Sequence, residues 1–489
     1  MTYRPVLTWW LFLVALGPWV GNVAARAIQF EPYVLRTFDG QQVEAELGRL
    51  RVPWRHERPE GPTIELAVIR LKGTAATPGP PLVHLVGGPG GAGSVSARTA
   101  RFHALNELRE VGDVIVLDQR GTGLSRPNPV CRERWDFPLD RPGDERAMLE
   151  HAIGVCRVAG QRLRDEAVDL DAFTTIENAD DIESLRKALG VEKINLWGTS
   201  YGTHLALSFI RRHEKSVHRA ILAGVEGPDH TLKLPSTAER QLATLDRLTK
   251  EDAELRRFVP DFLGLVRGTL ARLEGEPVMV KLPSATGPPV AVTIGKFDLQ
   301  LVTVNALGRT NTARMLPAMY YALSQGDFTA VGRQVQQLRG ESVGSAMSFM
   351  MDCASGASPE RLAHIHREAA ECLLGDAANF PFPAINAAWE APDLGTAFRA
   401  PVESTVPVLL VSGSLDSRTP PANAEEVRRG LPNSVHLMVE GAGHGEDLFS
   451  ASAELRRRMV DFLRGQSVPE VPIAGEPFKF ALPQPVGGK

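Results

Sequence analysis

Lys193–Phe209 reads KINLWGTSYGTHLALSF, and the pentapeptide inside it, Gly198-Thr199-Ser200-Tyr201-Gly202, decides the fold. A short apolar run, Ile194–Trp197, precedes it and a helical pattern, Tyr201–Arg212, follows. Strand, tight turn and helix in that order place a serine at the top of a sheet, with its hydroxyl presented to solvent. Such a turn leaves no room for a Cβ two residues before or after the serine, and both positions are glycine. The helix N-terminus just behind Ser200 aims backbone N–H groups at any negative charge that develops there. The plain alternative is a serine in a glycine-flanked turn with no chemical role.

Outward from this stretch the chain alternates short apolar runs with helical patterns. Leu82–Val86, Val114–Leu117, Ile194–Trp197 and Ala220–Ala223 suit buried parallel strands, and Ala179–Leu189 suits a helix between them. Two β-like stretches, Tyr33–Phe38 and Thr63–Lys72, come earlier. From about Thr231 the pattern turns mainly helical; VPVLLVSG (406–413) and VHLMVE (435–440) then resume it. The expected organisation is a leader over 1–27 and an α/β core over 28–230 and 401–465. A mainly helical cap over 231–400 splits the core, and a Pro-rich, irregular tail over 466–489 packs along the surface.

A serine hydroxyl needs a base, and the base needs an orienting acid. In an α/β-hydrolase these follow the serine in the order acid, then histidine. Asp416 lies just past the run VLLVSG, and His444 lies in the glycine-rich loop after VHLMVE. Glu425 and Asp447 are the alternative acids, and a turn or helix cap ahead of Pro420-Pro421 is the alternative role for Asp416. The other histidines after the elbow, among them His204, His213, His218 and His436, fall on predicted elements or polar surfaces and are read as structural. The oxyanion requires two amides, and Gly88, in PLVHLVGGPGGAGS (81–94), and Tyr201 are the expected donors. A phosphate-binding glycine loop is the rival reading of 81–94, but no Gly-Lys-Ser/Thr follows it.

The remaining composition narrows the class. With 489 residues, 43% hydrophobic and 23% charged, and a formal charge of −4, the chain has the make-up of a globular protein and no basic patch for nucleic acid. Arg4, the apolar stretch Val6–Val20 and Ala25-Arg26-Ala27 fit a signal peptide cut after Ala27 or Ala25, which implies export; a retained anchor is the alternative. Export permits disulfides, and Cys131–Cys156 with Cys353–Cys372 is the preferred pairing because each closes a modest loop. No cluster has metal-ligand spacing, so neither a metal nor an organic cofactor is expected.

Taken together, GGPGGAG (87–93), DQRGTGLSRP (118–127) and WGTSYG (197–202) resemble the proline iminopeptidases and their tripeptidyl-aminopeptidase-like relatives, serine peptidases of the α/β-hydrolase fold. TTIENADDIESLRKALGVEKINLWGTSYG (174–202) resembles that family's approach to the elbow, and PVLLVSGSLDSRTPPANA (407–424) the C-terminal region of the tripeptidyl-aminopeptidase branch. One departure is that proline iminopeptidases commonly carry His-Gly-Gly-Pro-Gly, where this chain has Val86-Gly87-Gly88-Pro89-Gly90 and a histidine only at position 84. The resemblance implies carboxylates that hold a substrate's free α-amino group. Glu226 is the first candidate and Asp229 the second, with a surface turn as the alternative for both. Asp118 and Arg120 are expected to form a buried pair or hydrogen-bond network beside the glycine loop. The implied activity is an exported aminopeptidase working through an acyl-enzyme. An esterase or lipase of the same fold is the alternative, and a non-catalytic binding protein a third.

Overall fold

The computed structural model describes residues 27–284 and 287–483. All but Ala27 of the expected leader therefore lies outside the described residues. In chain order the strands are β1 (Phe30–Arg36), β2 (Gln42–Pro53), β3 (Thr63–Leu71), β4 (Leu82–Leu85), β5 (Val114–Leu117), β6 (Ile194–Thr199) and β7 (Val217–Ala223). They continue with β8 (Val278–Leu282), β9 (Val290–Ile294), β10 (Val408–Gly413) and β11 (Ser434–Val439). Nine of them form one sheet in the order β1-β2-β3-β5-β4-β6-β7-β10-β11. β1, β2 and β3 pair antiparallel, as do β3 and β5, and from β5 to β11 every pairing is parallel. This is the mostly parallel, helix-flanked sheet that the elbow implies.

The parallel strands are short and apolar on both faces because both faces are covered. Ile115 and Leu117 of β5, Ile194 and Leu196 of β6, and Val408 and Leu410 of β10 point into one core. Their alternates Val114, Val116, Trp197, Leu409 and Val411 point into the other. The helices Phe102–Leu108 and Ala453–Leu463 close the second core, through residues such as Leu105 and Met459. Thr175–Ala188 and Tyr201–His213 close the first. Thr174 caps its helix by accepting a hydrogen bond from the Glu177 amide, and Gly190 ends the segment in the left-handed region at φ +70°.

Between β7 and β10 the chain leaves the sheet and builds a cap. Its longer helices include Pro235–Glu251, Phe262–Gly275, Lys296–Leu307, Ala346–Ser355 and Pro359–Glu371, joined by the antiparallel hairpin β8–β9 that the sequence reading did not anticipate. A buried ion pair inside the cap also ties it to the backbone of residues 138–143, since Arg339 Nη1 donates to the Arg141 carbonyl. Arg339 donates two 2.7 Å bonds from Nη2 to Asp298, whose Oδ2 also accepts from the amides of Gly143 and Gly295. Removing either partner strands a buried charge, at a cost of about 3–5 kcal/mol.

Of the two forms expected for Asp118 and Arg120, the structure shows buried hydrogen-bond networks and no pair between them. Asp118 accepts from the Ser94 amide and hydroxyl and from the Leu124 amide, which fixes the loop beside the glycine run. Arg120 instead forks onto Asp181 at 2.8 and 2.7 Å and reaches the Ala172 carbonyl.

The expected cysteine pairing is corrected: all four cysteines are free thiols. Cys131 and Cys156 are neighbours in the apolar core, unbonded, and burial pushes each thiol up to about 12. Cys353 lies near Cys156, whereas Cys372 lies among Glu239, Glu368 and Glu371, so the Cys353–Cys372 pair is not made. Among the described residues no helix is long and apolar enough to cross a membrane.

Candidate active site

Five loops leave the C-terminal ends of parallel strands and meet above the sheet: those after β4, β6, β7, β10 and β11. The loop after β6 is the tightest. Ser200 has φ 55° and ψ −128°, a backbone region that non-glycine residues rarely adopt, and its amide donates to the Ala223 carbonyl of β7. The flanking glycines are required by contact rather than by dihedral. A Cβ on Gly198 would lie 2.5 Å from the Gly202 carbonyl oxygen, and one on Gly202 would lie 2.0 Å from that of Leu85. Gly202→Ala therefore forces backbone apart, and we expect a loss of at least about 3 kcal/mol in urea unfolding. Gly154→Ala, in open space on the helix Glu145–Asp165, is the control, with an expected gain of about 0.5–1 kcal/mol.

His444 bridges the other two residues. Its Nε2 is 2.9 Å from Ser200 Oγ, and its Nδ1 is 2.9 Å from Asp416 Oδ2. Asp416 sits at the mouth of β10 and is held from four directions. Oδ1 accepts from the Arg418 and Thr419 amides at 2.8 and 2.9 Å, while Oδ2 accepts from the Thr419 hydroxyl at 2.7 Å as well as facing His444. Burial pushes this carboxyl's pKa up, but the charge and hydrogen bond of His444 together with the Thr419 donors outweigh it. The result lies below the ordinary 3.8. Gly224 lets β7's loop pass close by: a Cβ there would meet Thr419 Oγ1 at 3.0 Å and His444 Cε1 at 3.3 Å.

Both residues expected to supply oxyanion amides border Ser200. Gly88 lines the cleft beside Ser200 at φ +130°, a conformation open to glycine. Gly87 abuts the serine so closely that a Cβ would stand 2.7 Å from Ser200 Cβ. Tyr201 opens the helix Tyr201–His213, so its amide has no acceptor within the helix. His84, the displaced histidine of the glycine motif, is fully buried against Trp197 with ring centroids 4.5 Å apart. Burial, then the charge of Arg101, pushes its pKa down to about 3, leaving a neutral ring that braces strands.

The alternative acids are engaged elsewhere. Glu425 meets His436 at 2.5 Å, and Asp447 accepts from Thr310 and from the Gly443 amide, shaping the His444 loop. Arg101 steadies that loop by donating to Glu446 Oε1 at 2.5 Å. His204 and His213 also have structural partners, at Gly227 and Asp180.

The serine opens into a cleft of about 1170 Å³. Glu226 is buried on its wall, with its amide bound to Thr203 and its carboxylate 2.8 Å from Lys233 Nζ. Asp229 is not part of the lining; it accepts from the Ser358 amide and hydroxyl at 2.7 and 2.6 Å and so fixes the start of the helix Pro359–Glu371. Asp352, which the sequence reading missed, lies within electrostatic reach of Glu226, Lys233 and Tyr201. Desolvation, then the charge of Glu226, pushes its carboxyl well above the ordinary range. No motif surrounds it: only the cap's packing brings it here. The tail is also closer than expected, since Ala474–Lys479 line the cleft mouth. Among the described residues no three His, Cys, Asp or Glu side chains are grouped to hold a metal ion.

A chain of serine hydroxyl, imidazole and buried carboxylate at these distances can move a proton off Ser200 Oγ. Comparison with known proteins agrees with the fold. Residues 80–445 match the model of the alpha/beta hydrolase fold family. The chain is 30% identical over 190 residues to serine protease Hip1 of Mycobacterium tuberculosis, which is 37% of this chain and 36% of that protein. It is 29% identical over 199 residues to the tripeptidyl aminopeptidase of Streptomyces coelicolor, 37% of this chain and 35% of that one. The chain thus matches about a third of the length of these curated relatives. The solved proline iminopeptidase of Mycobacterium smegmatis superposes with a TM-score of 0.40 at 16% identity, covering 85% of this chain and 98% of that one.

Proposed function

The chain belongs to the alpha/beta hydrolase fold family, and we propose that within it the protein is an exported serine aminopeptidase that removes short N-terminal units from peptides. The observation that carries this reading is the Ser200–His444–Asp416 hydrogen-bond chain opening into the same cleft as the Glu226 carboxylate. His444 Nε2 takes the Ser200 proton as Oγ attacks the scissile carbonyl, and Asp416 stabilises the imidazolium. The Gly88 and Tyr201 amides hold the oxyanion. Collapse expels the amine, which takes its proton from His444 and leaves an acyl-enzyme. Water then attacks the acyl carbon with His444 again as base, releasing the carboxylic acid and restoring the serine.

Glu226 supplies negative potential for an N-terminal ammonium. The peptidase names of the partial relatives support the same substrate class, and the expected leader over 1–27 supports export. A carboxylesterase is the second reading. Lys233 favours it, because it already gives Glu226 an ammonium partner at 2.8 Å.

The test is turnover of paired chromogenic peptides, one with a free and one with an acetylated N-terminus, alongside a short p-nitrophenyl ester. Cleavage of the free form alone is expected. Ester hydrolysis with no peptide cleavage would discard the peptidase and leave the esterase. Glu226→Gln is expected to lower the ratio of free-peptide to ester kcat/KM by about tenfold or more, chiefly through KM, as loss of one charge-assisted contact requires.

A further inference from the structure

One wall of the cleft carries positive charge with no acid to meet it. Arg309, Arg314 and Arg418 all line it, and none of the three guanidinium groups makes an ion pair among the described residues. The acids nearby are spent or stand apart. Asp416 is consumed by His444, Thr419 and two amides. Glu226 is paired with Lys233 and Glu446 with Arg101, while Asp447 accepts from Thr310 and the Gly443 amide. Glu476 of the tail lines the same cleft and reaches none of the three.

Two of these arginines are set side by side. Arg418 is half-buried and lies flat against the backbone that leads into Arg309, since a Cβ on Gly308 would stand 3.2 Å from its Nε. The loop carrying it is pinned there by the Ser417 hydroxyl, which donates to the Leu307 carbonyl at 3.1 Å. Desolvation and the neighbouring Arg309 charge work against the Arg418 cation, opposed by Asp416 and Glu226, and the balance lowers its pKa. A guanidinium stays charged across the ordinary pH range, so an anion placed between the two would be attracted by both.

We propose that Arg418 and Arg309 form an anion subsite that receives a carboxylate of the substrate, with Arg314 adding charge at the entrance. Their forked N–H donors match a carboxylate's two oxygens. Where a substrate ammonium takes the place of Lys233 on Glu226, the subsite makes the cleft bipolar, suited to a short peptide that carries both charges. The identification of the ligand as a peptide rests on the aminopeptidase reading; the subsite itself does not. The carboxylate comes either from an acidic side chain or from the C-terminus of a short peptide.

The test is calorimetric titration of the full chain carrying Ser200→Ala, so that binding is read without turnover. Two pairs of tripeptides separate the sources: Ala-Ala-Ala as free acid against its C-terminal amide, and Ala-Asp-Ala amide against Ala-Asn-Ala amide. In at least one pair the carboxylate-bearing member is expected to bind about tenfold tighter or more. Adding Arg418→Met or Arg309→Met is expected to bring that ratio close to one, while Arg309→Lys retains part of it. Arg309 is exposed, so its replacement reads the subsite without disturbing packing beside Asp416. Equal binding within both pairs, or a preference untouched by Arg309→Met and Arg418→Met, overturns the proposal. If the carboxylate preference is present but the wild-type chain cleaves no peptide, the subsite stands and only the aminopeptidase reading falls.

Discussion

Ser200→Ala is expected to lower kcat on peptides and esters alike by on the order of a millionfold, while leaving the substrate able to bind. The size follows from the geometry. Without Oγ there is no atom 2.9 Å from His444 Nε2 to deprotonate, and the residual rate comes only from the oxyanion amides and the cleft. A pre-steady-state burst of p-nitrophenol from the wild type, absent in the variant, checks that the lost step is formation of the acyl-enzyme. Ser200→Gly carries the same chemical loss and a different stability. At φ 55° and ψ −128° any Cβ is strained, by about 1–3 kcal/mol. Glycine relieves that strain but has more freedom to lose on folding, about 0.5–1 kcal/mol. Ser200→Gly is therefore expected to be more stable than Ser200→Ala by about 1 kcal/mol in urea unfolding. Equal stabilities would mean that the elbow stores no strain. A residual rate in Ser200→Ala above about one per cent would remove Ser200 from the proposed role.

The elbow was legible because its residues are contiguous. A buried strand, two glycines and a helix start all fall within the stretch Ile194–His213, although the carbonyl that bars a Cβ at Gly202 belongs to Leu85 of β4. The other parallel strands were legible for a related reason: with both faces covered, β4, β5 and β10 read as unbroken apolar runs. β2 was missed because it is antiparallel and half-exposed. Glu44, Glu46, Arg49 and Arg51 interrupt its apolar residues, and only its pairing with β1 and β3 makes it a strand. The same distinction divides the site. Asp416 and His444 follow strands at the positions the topology dictates, whereas Lys233 and Arg309 reach the cleft on the cap or its approach, from segments with no recognisable motif. Asp229 shows the limit most directly. Sequence proximity to Glu226 suggested a shared role, but its carboxylate is bound to Ser358, 129 residues on. A local reading cannot see such a partner.

Asp416→Asn is the second large effect, expected at about ten-thousandfold in kcat with little change in fold. The amide is nearly the carboxylate's shape, so its Oδ1 still accepts from the Arg418 and Thr419 amides that Asp416 Oδ1 serves now. Its NH₂ then takes the place of Oδ2, facing the Thr419 hydroxyl and His444 Nδ1. A donor there turns Nδ1 into an acceptor and moves the ring proton to Nε2. That proton points at Ser200 Oγ, so the base is lost while every heavy atom stays in place. The imidazolium that forms during attack also loses its counter-charge, and this adds to the barrier.

Stability separates this account from simple damage to the loop. Because the folded carboxyl of Asp416 lies below 3.8, its contribution is complete at pH values above that ordinary value and is lost as pH falls through the lower, folded one. The wild-type advantage over Asp416→Asn in urea unfolding should hold steady from about pH 7 to 5 and shrink below 3.8. An advantage independent of pH down to 2 would show that the carboxylate's charge does not stabilise the fold. A variant keeping more than a tenth of wild-type kcat would mean that another acid orients His444.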